Sequence, residues 1–167
     1  MCSIARELAG SEKIDVIAGG IAGPFDVGHT TLVNAPNLSD WAGKPLKGDI
    51  EKKLSCVARL ENDAALAALG EAHYGAGKGF GIVGYIGVGT GVGGARIVDG
   101  HIDKNAMGFE IGHQIINEEN KIIQDYLSGK LIEKKYQKLP SEVKDKEMWD
   151  SAAHILAIGV NNLLVHW

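Results

Sequence analysis

Two β-branched, apolar runs in the middle of this chain flank a cluster of glycines: Ile82-Val83-Gly84-Tyr85-Ile86-Gly87-Val88, then Gly89-Thr90-Gly91-Val92-Gly93-Gly94, then Ala95-Arg96-Ile97-Val98. β-branched and aromatic residues favour extended backbone, and glycine accepts the conformations of a tight turn. The pattern therefore predicts a hairpin with its turn at Gly89-Thr90-Gly91. Backbone N–H groups and a threonine hydroxyl at such a tip suit an anion, so a phosphate nest and a plain tight hairpin are both open readings. The same residues fit GxGxxG, but a dinucleotide site needs a helix to start at the turn. Here a second β-type run follows, and an NAD-dependent oxidoreductase becomes the weaker alternative. Gly77-Lys78 is no P-loop either, because Gly79 stands where a magnesium-binding hydroxyl belongs.

A second segment, Leu60-Glu61-Asn62-Asp63-Ala64, places an amide and a carboxylate at the end of an apolar strand and the start of a helical pattern. Asp63 is suited to accept a proton from a hydroxyl, with Asn62 holding a neighbouring hydroxyl through its donor and acceptor. It is equally suited to cap the following helix. A third group, Gly108-Phe109-Glu110-Ile111-Gly112-His113, spaces a carboxylate and an imidazole three apart, so that a helical turn puts them on one face. Such a pair suits vicinal sugar hydroxyls, or serves as a surface pair.

Composition narrows the class. The 167 residues, 45% apolar and 23% charged, are enough for one good core or two small lobes. A net charge of −4 leaves no basic surplus for a nucleic-acid backbone. Cys2 and Cys56 form no metal or disulfide spacing, which fits a reducing cytoplasm, and no apolar run is long enough for a membrane span. The 23 glycines suit an α/β protein whose turns approach ligands closely.

Along the chain, the pattern predicts a helix end over 4–8, strands over 14–18 and 57–60, a strand-like run over 30–33, and helices over 45–54 and 64–73. Residues 75–79 read as a flexible joint, dividing the chain into lobes at 1–78 and 79–167. Beyond the hairpin, helices are expected over 122–136 and 148–167. The last carries a stripe of Leu156, Val160, Leu163, Leu164 and Trp167, widened by Ile155 and Ile158.

Taken in order, Gly20-Ile21-Ala22-Gly23-Pro24-Phe25-Asp26, Ala35-Pro36-Asn37-Leu38-Ser39-Asp40-Trp41, Glu61-Asn62-Asp63-Ala64, Gly89-Thr90-Gly91, Glu110-Ile111-Gly112-His113 and Tyr126-Leu127-Ser128-Gly129 resemble the ROK family of sugar kinases and sugar-responsive repressors. The resemblance implies an α/β, actin-like ATPase fold of the ribonuclease-H-like, hexokinase type, here with a partial two-lobe architecture. It implies transfer of phosphate from ATP with Mg2+ to the 6-hydroxyl of a hexose or N-acetylhexosamine. On that pattern Asp63 is the catalytic base, and Asn62, Glu110 and His113 contact the sugar. Gly23 and Asn37 flank the sugar, Gln124 aligns with a sugar-contacting glutamate, and Gly89, Thr90 and Gly91 form the second phosphate motif. A cytoplasmic homo-oligomer without nucleic-acid or membrane partners is expected.

The departures bear on activity. The family's first phosphate motif, Asp-x-Gly-Gly-Thr, does not occur, and the chain stops before a Gly-rich adenosine-binding segment, so it reads as the middle of a kinase shortened at both ends. The cysteine-rich zinc loop that follows the histidine in many members is replaced by cysteine-free residues 114–121, so no structural zinc is expected. A non-catalytic sugar-binding or regulatory protein of the family is the alternative; no helix-turn-helix precedes these motifs.

Overall fold

A computed structural model describes residues 1–33, 35, 38–103 and 109–166; Asn37 and Trp167 lie outside the described residues. The chain divides into two compact units, Met1–Leu66 and Ala67–Trp167.

The first unit rests on two parallel strands, β1 (Val16–Ile21) and β2 (Val57–Asn62). Parallel strands need a long crossover, and this one contains α2 (Leu46–Leu54). Ile50 and Leu54 of α2 pack with Ala58 of β2 into a small core, ringed by Cys2, Ala5, Ile14 and Ile17. α1 (Cys2–Ala9) is tied to α2 where the Arg6 guanidinium donates to the Lys53 carbonyl at 2.7 Å. The strands run in register to Gly20 opposite Glu61 and Ile21 opposite Asn62, so both end just ahead of α3 (Asp63–Tyr74).

The strand-like run at 30–33 is instead part of a closed loop. The Asp26 carboxylate accepts from Thr30 N–H (2.6 Å), Thr30 Oγ1 (2.6 Å) and Thr31 N–H (3.1 Å). Three donors on one carboxylate curl the backbone, leaving only an isolated bridge between Phe25 and the fully buried Leu32.

In the second unit, β3 (Ile82–Val88), β4 (Val92–Val98) and the two-residue β5 (His101–Ile102) form an antiparallel sheet in that order. Val88 faces Val92, which puts the turn at Gly89-Thr90-Gly91 as expected. β5 goes beyond the sequence reading; Asp99 (φ 48°) and Gly100 (φ 75°) make the tight left-handed turn that returns it. Residues 75–79 are tied down rather than loose: Gly75 and Gly77 N–H both donate to the Glu71 carbonyl at 3.0 Å, and Ala76 N–H donates to the Glu71 carboxylate at 2.9 Å.

The helix expected over 122–136 is two helices, α4 (Gln124–Leu127) and α5 (Gly129–Tyr136). Ser128 adopts extended backbone (φ −68°, ψ 131°) between them, ends the first and caps the second, its Oγ accepting from Leu131 N–H at 3.4 Å. α6 (Lys146–His166) packs against α4. Its start is held by Asp145, which accepts from Met148 N–H at 3.0 Å and from the Tyr136 hydroxyl at 2.8 Å. The core joins Val92 of the hairpin, Ile111, Ile123, Leu127, and Ala152 and Leu163 of α6.

The face α6 buries differs from the expected stripe. Leu163 is buried and Leu156 and Ile155 pack against the core as expected, but Val160 and Leu164 are 39% and 80% exposed. Gly159 is what turns the helix: a Cβ there would stand 2.7 Å from Ile123 Cδ1. With apolar residues on more than one side, periodicity could not choose the face; close approach at a glycine does.

Candidate active site

Asp63 begins α3 at the end of β2 and is exposed. The helix cap expected of it belongs to its neighbour: Asn62 Oδ1 accepts from Ala65 N–H, three residues on, at 3.1 Å. Asp63 Oδ1 accepts only from the adjoining Ala64 N–H, at 2.9 Å. Its other carboxylate oxygen has no hydrogen bond among the described residues, so capping does not consume the group. The Asn62 amide also donates to the Gly23 carbonyl at 3.2 Å. Gly23, with φ 118°, sits in backbone that L side chains rarely adopt, and this bond draws its turn to the start of α3.

Glu61 continues the network. One carboxylate oxygen accepts from Asn62 N–H at 2.9 Å, and the other stands 3.4 Å from His29 Nδ1. His29 stacks on Phe25 at 5.8 Å between ring centroids. Asp26, which folds this loop, is held below the ordinary carboxylate range, first by the Thr30 hydroxyl and then by the Thr30 N–H. Gly20 completes the corner sterically. A Cβ there would meet Asp63 Cα and Leu66 Cδ1, each at 3.1 Å, so glycine lets β1 pass close to the start of α3 without pressing on it.

The hairpin tip in the second unit is gripped by backbone and by one side chain. Gly129 N–H donates to the Gly89 carbonyl at 2.7 Å, and Lys130 N–H to the Thr90 carbonyl at 3.3 Å. Gln124 Oε1 accepts from Val92 N–H at 2.9 Å. Thr90 N–H, Gly91 N–H and Thr90 Oγ1 have no hydrogen bond among the described residues. Two backbone donors and a hydroxyl at one turn suit phosphate oxygens, so the residues present fit a nucleotide phosphate. Gln124 is placed against this turn, and its amide nitrogen has no partner among the described residues.

Glu110 and His113 bracket a single 3-10 turn, Ile111–His113, in which Glu110 C=O accepts from His113 N–H at 2.9 Å. Residues three apart eclipse in that geometry, as the spacing predicts. The turn lies against β4 through two missing side chains. A Cβ on Gly94 would stand 2.7 Å from Ile111 Cγ2, and one on Gly112 would run into the Val92 carbonyl. Glu110 is half-buried and His113 exposed. After His113 the chain closes through a short loop in which Asn117 Oδ1 accepts from Glu119 and Lys121 N–H, with Ile115 bridged to Ile122.

Of the residues expected at a site, the structure brings Gly23, Asn62 and Asp63 together in the first unit, and Gly89, Thr90, Gly91 and Gln124 together in the second. Glu110 and His113 bracket the 3-10 turn that packs against β4, the strand that leaves the hairpin turn, and Asn37 lies outside the described residues. The supporting glycines Gly20, Gly94 and Gly129 were not singled out by the sequence reading. For Gly20 and Gly94 the available signal was a glycine inside a strand, which marks a close backbone approach.

The ROK family model matches residues 4–163 of the chain. A glucokinase of Thermotoga maritima is 30% identical over 112 residues, covering 66% of this chain and 35% of its own. Among solved structures, a ROK family glucokinase from Streptomyces griseus in complex with glucose and AMPPNP is 29% identical with a TM-score of 0.68, over 80% of this chain and 46% of that one. A ROK hexokinase from Thermus thermophilus, 23% identical, shares the fold with a TM-score of 0.76 over 99% of this chain and 63% of that one. The chain thus spans between about one third and two thirds of the length of these proteins, and its fold is that of the actin-like, hexokinase-type ATPases. With matched residues running nearly end to end and the motifs of both units in order, the chain belongs to the ROK family.

Proposed function

We propose that this chain carries the catalytic-base and second phosphate elements of an ATP-dependent sugar kinase, acting on the 6-hydroxyl of a hexose or N-acetylhexosamine. The observation that carries the reading is the division of labour at the start of α3: Asn62 caps the helix, which leaves an Asp63 carboxylate oxygen available for a substrate hydroxyl. The Streptomyces griseus relative, solved with glucose and AMPPNP, supports the choice of sugar and nucleotide.

In this reading Asp63 accepts the proton of the 6-hydroxyl, while Asn62, Glu110 and His113 contact the sugar, with Gly23 and Asn37 beside it. Thr90 and Gly91 N–H and the Thr90 hydroxyl receive phosphate oxygens as charge moves onto the transferring group. Magnesium is expected to arrive on the ATP phosphates, as this cation prefers few protein ligands. The functional division is then 1–78 for the base side and 79–167 for the phosphate side, in a cytoplasmic, self-associating protein. No helix among the described residues is long and apolar enough to cross a membrane.

The test is a titration of the purified chain with a panel of hexoses and N-acetylhexosamines, with and without Mg-ATP, followed by phosphorus NMR for product, beside Asp63→Asn. Product from the wild type that disappears in the variant supports the kinase. Sugar binding that persists in both with no product would replace it by a sugar-binding role.

A further inference from the structure

We propose that Gln124 is a positioning residue for the phosphate turn, acting through Val92, and that α5 serves as the other jaw of the same clamp. The proposal rests on the reading of Gly89-Thr90-Gly91 as the phosphate element, and gives Gln124 a duty separate from any sugar contact.

Each side of the turn is held by a different kind of bond. From one side Gln124 Oε1 takes Val92 N–H at 2.9 Å, fixing the first residue of β4. The same oxygen would stand 2.7 Å from a Cβ at Gly91, so only glycine leaves room for it there. On the other side, N–H groups at the start of α5 are spent on the turn: Gly129 to the Gly89 carbonyl at 2.7 Å and Lys130 to the Thr90 carbonyl at 3.3 Å. Gly129 can come this close only without a side chain, since its Cβ would be 2.8 Å from Gly89 O.

The consequence is directional. Helix N-terminal donors ordinarily face water or a ligand; here they occupy the carbonyls of Gly89 and Thr90. With those carbonyls bound and Val92 N–H bound, the donors of the tip without a partner among the described residues are Thr90 N–H, Gly91 N–H and the Thr90 hydroxyl. A turn whose acceptors are already satisfied and whose donors are not is preorganised for an anion, and does not have to reorder when one binds. The break at Ser128 acquires a purpose as well. A continuous helix would give Gly129 and Lys130 N–H to the preceding helical carbonyls and leave the turn unsupported.

The test compares wild type, Gln124→Ala and Gln124→Glu by amide hydrogen exchange and by NMR-detected titration with Mg-ATP and with inorganic tripolyphosphate. Gln124→Ala is expected to speed exchange at Val92 by about tenfold, with Ala95 and Ile97 deeper in the hairpin unchanged. It is also expected to weaken binding of both anions by a similar factor. Gln124→Glu keeps an acceptor for Val92 N–H, so exchange there stays slow. Slow Val92 exchange in Gln124→Glu beside fast exchange in Gln124→Ala is a rescue by the conservative variant, which ties the effect to the accepted hydrogen bond rather than to loss of side-chain packing. Unchanged Val92 exchange in Gln124→Ala, or unchanged anion affinity in that variant, overturns the proposal. If the wild type binds neither anion, the phosphate reading of the turn fails and the positioning role falls with it, while Val92 exchange still decides whether the clamp exists.

Discussion

The Asp63 corner of the first unit and the glycine hairpin of the second present their groups by opposite means. At the corner, side chains do the holding: Asn62 bonds to Ala65 and Gly23, Glu61 to Asn62 N–H, and Asp26 to Thr30 and Thr31. The sheet behind them has two strands among the described residues, with Val16 and Val57 more than half exposed. At the hairpin, the holding is done mostly by backbone and by the absence of side chains at Gly91, Gly94, Gly112 and Gly129, with Gln124 as the one side chain that grips the turn. A polar corner is adjustable and sensitive to charge, whereas a sterically closed hairpin is rigid and sensitive to a single methyl group. That division matches the proposed function, in which one part would meet a neutral, variable sugar and the other an invariant phosphate.

The largest effect should come from Asp63→Asn, which leaves the Asn62 cap intact. Phosphoryl transfer is expected to fall by about 10²- to 10⁴-fold, with urea unfolding barely moved. A comparable loss of stability would make Asp63 part of the scaffold and blur the contrast.

Gly112→Ala attacks the steric side, since its Cβ would run into the Val92 carbonyl. We expect a loss of about 3 kcal/mol in urea unfolding of the second unit. Asn62→Ala attacks the polar side and removes both the cap and the Gly23 bond, for about 1 to 2 kcal/mol. If it proves as damaging as Gly112→Ala, the two regions are not held by different means.

A matched pair on β1 sharpens the one steric contact of the corner. An added methyl at Gly20 presses on Asp63 and Leu66, whereas at Gly19 it meets nothing within 4 Å. Gly20→Ala should destabilise by about 1 kcal/mol and shift the Asp63 amide resonance. Gly19→Ala should leave that resonance unmoved.

The smallest effect is the pH response of the loop at Asp26. Its carboxyl is held below 3.8 in the folded chain, mainly by the Thr30 hydroxyl, so the unfolded chain takes up the proton first as pH falls. The contribution is complete above pH 3.8 and is lost as pH drops through the folded value. The Thr30 and Thr31 amide resonances should report that loss in acid; Asp26→Asn should abolish the acid dependence.

Much of the architecture could be read from local pattern. The hairpin, α2, β2 and α3 arise from β-branched runs, helical spacing and glycine stops, which act over a few residues. The family followed from motifs whose order survives in a linear chain. Ser128 escaped the reading because serine inside a helical pattern is compatible with either outcome, and only the carbonyls of Gly89 and Thr90 decide that the backbone breaks there. Asp63 and Asn62 exchanged the expected capping duty for a similar reason: both side chains can cap, and selection depended on where Gly23 lay.

By itself, then, the sequence determined the hairpin, α2, β2 and α3, the family they belong to and the chemical types present at Asn62, Asp63, Thr90, Glu110 and His113. Tertiary structure alone decided which face α6 buries, which residue caps α3, what Gln124 holds, and why the glycines at 94, 112 and 129 leave no room for a side chain while the one at 20 leaves little. The physical reason is range. Propensity and periodicity are summed over neighbours along the chain, whereas a missing methyl or a satisfied carbonyl takes its meaning from an atom brought up from far away in sequence.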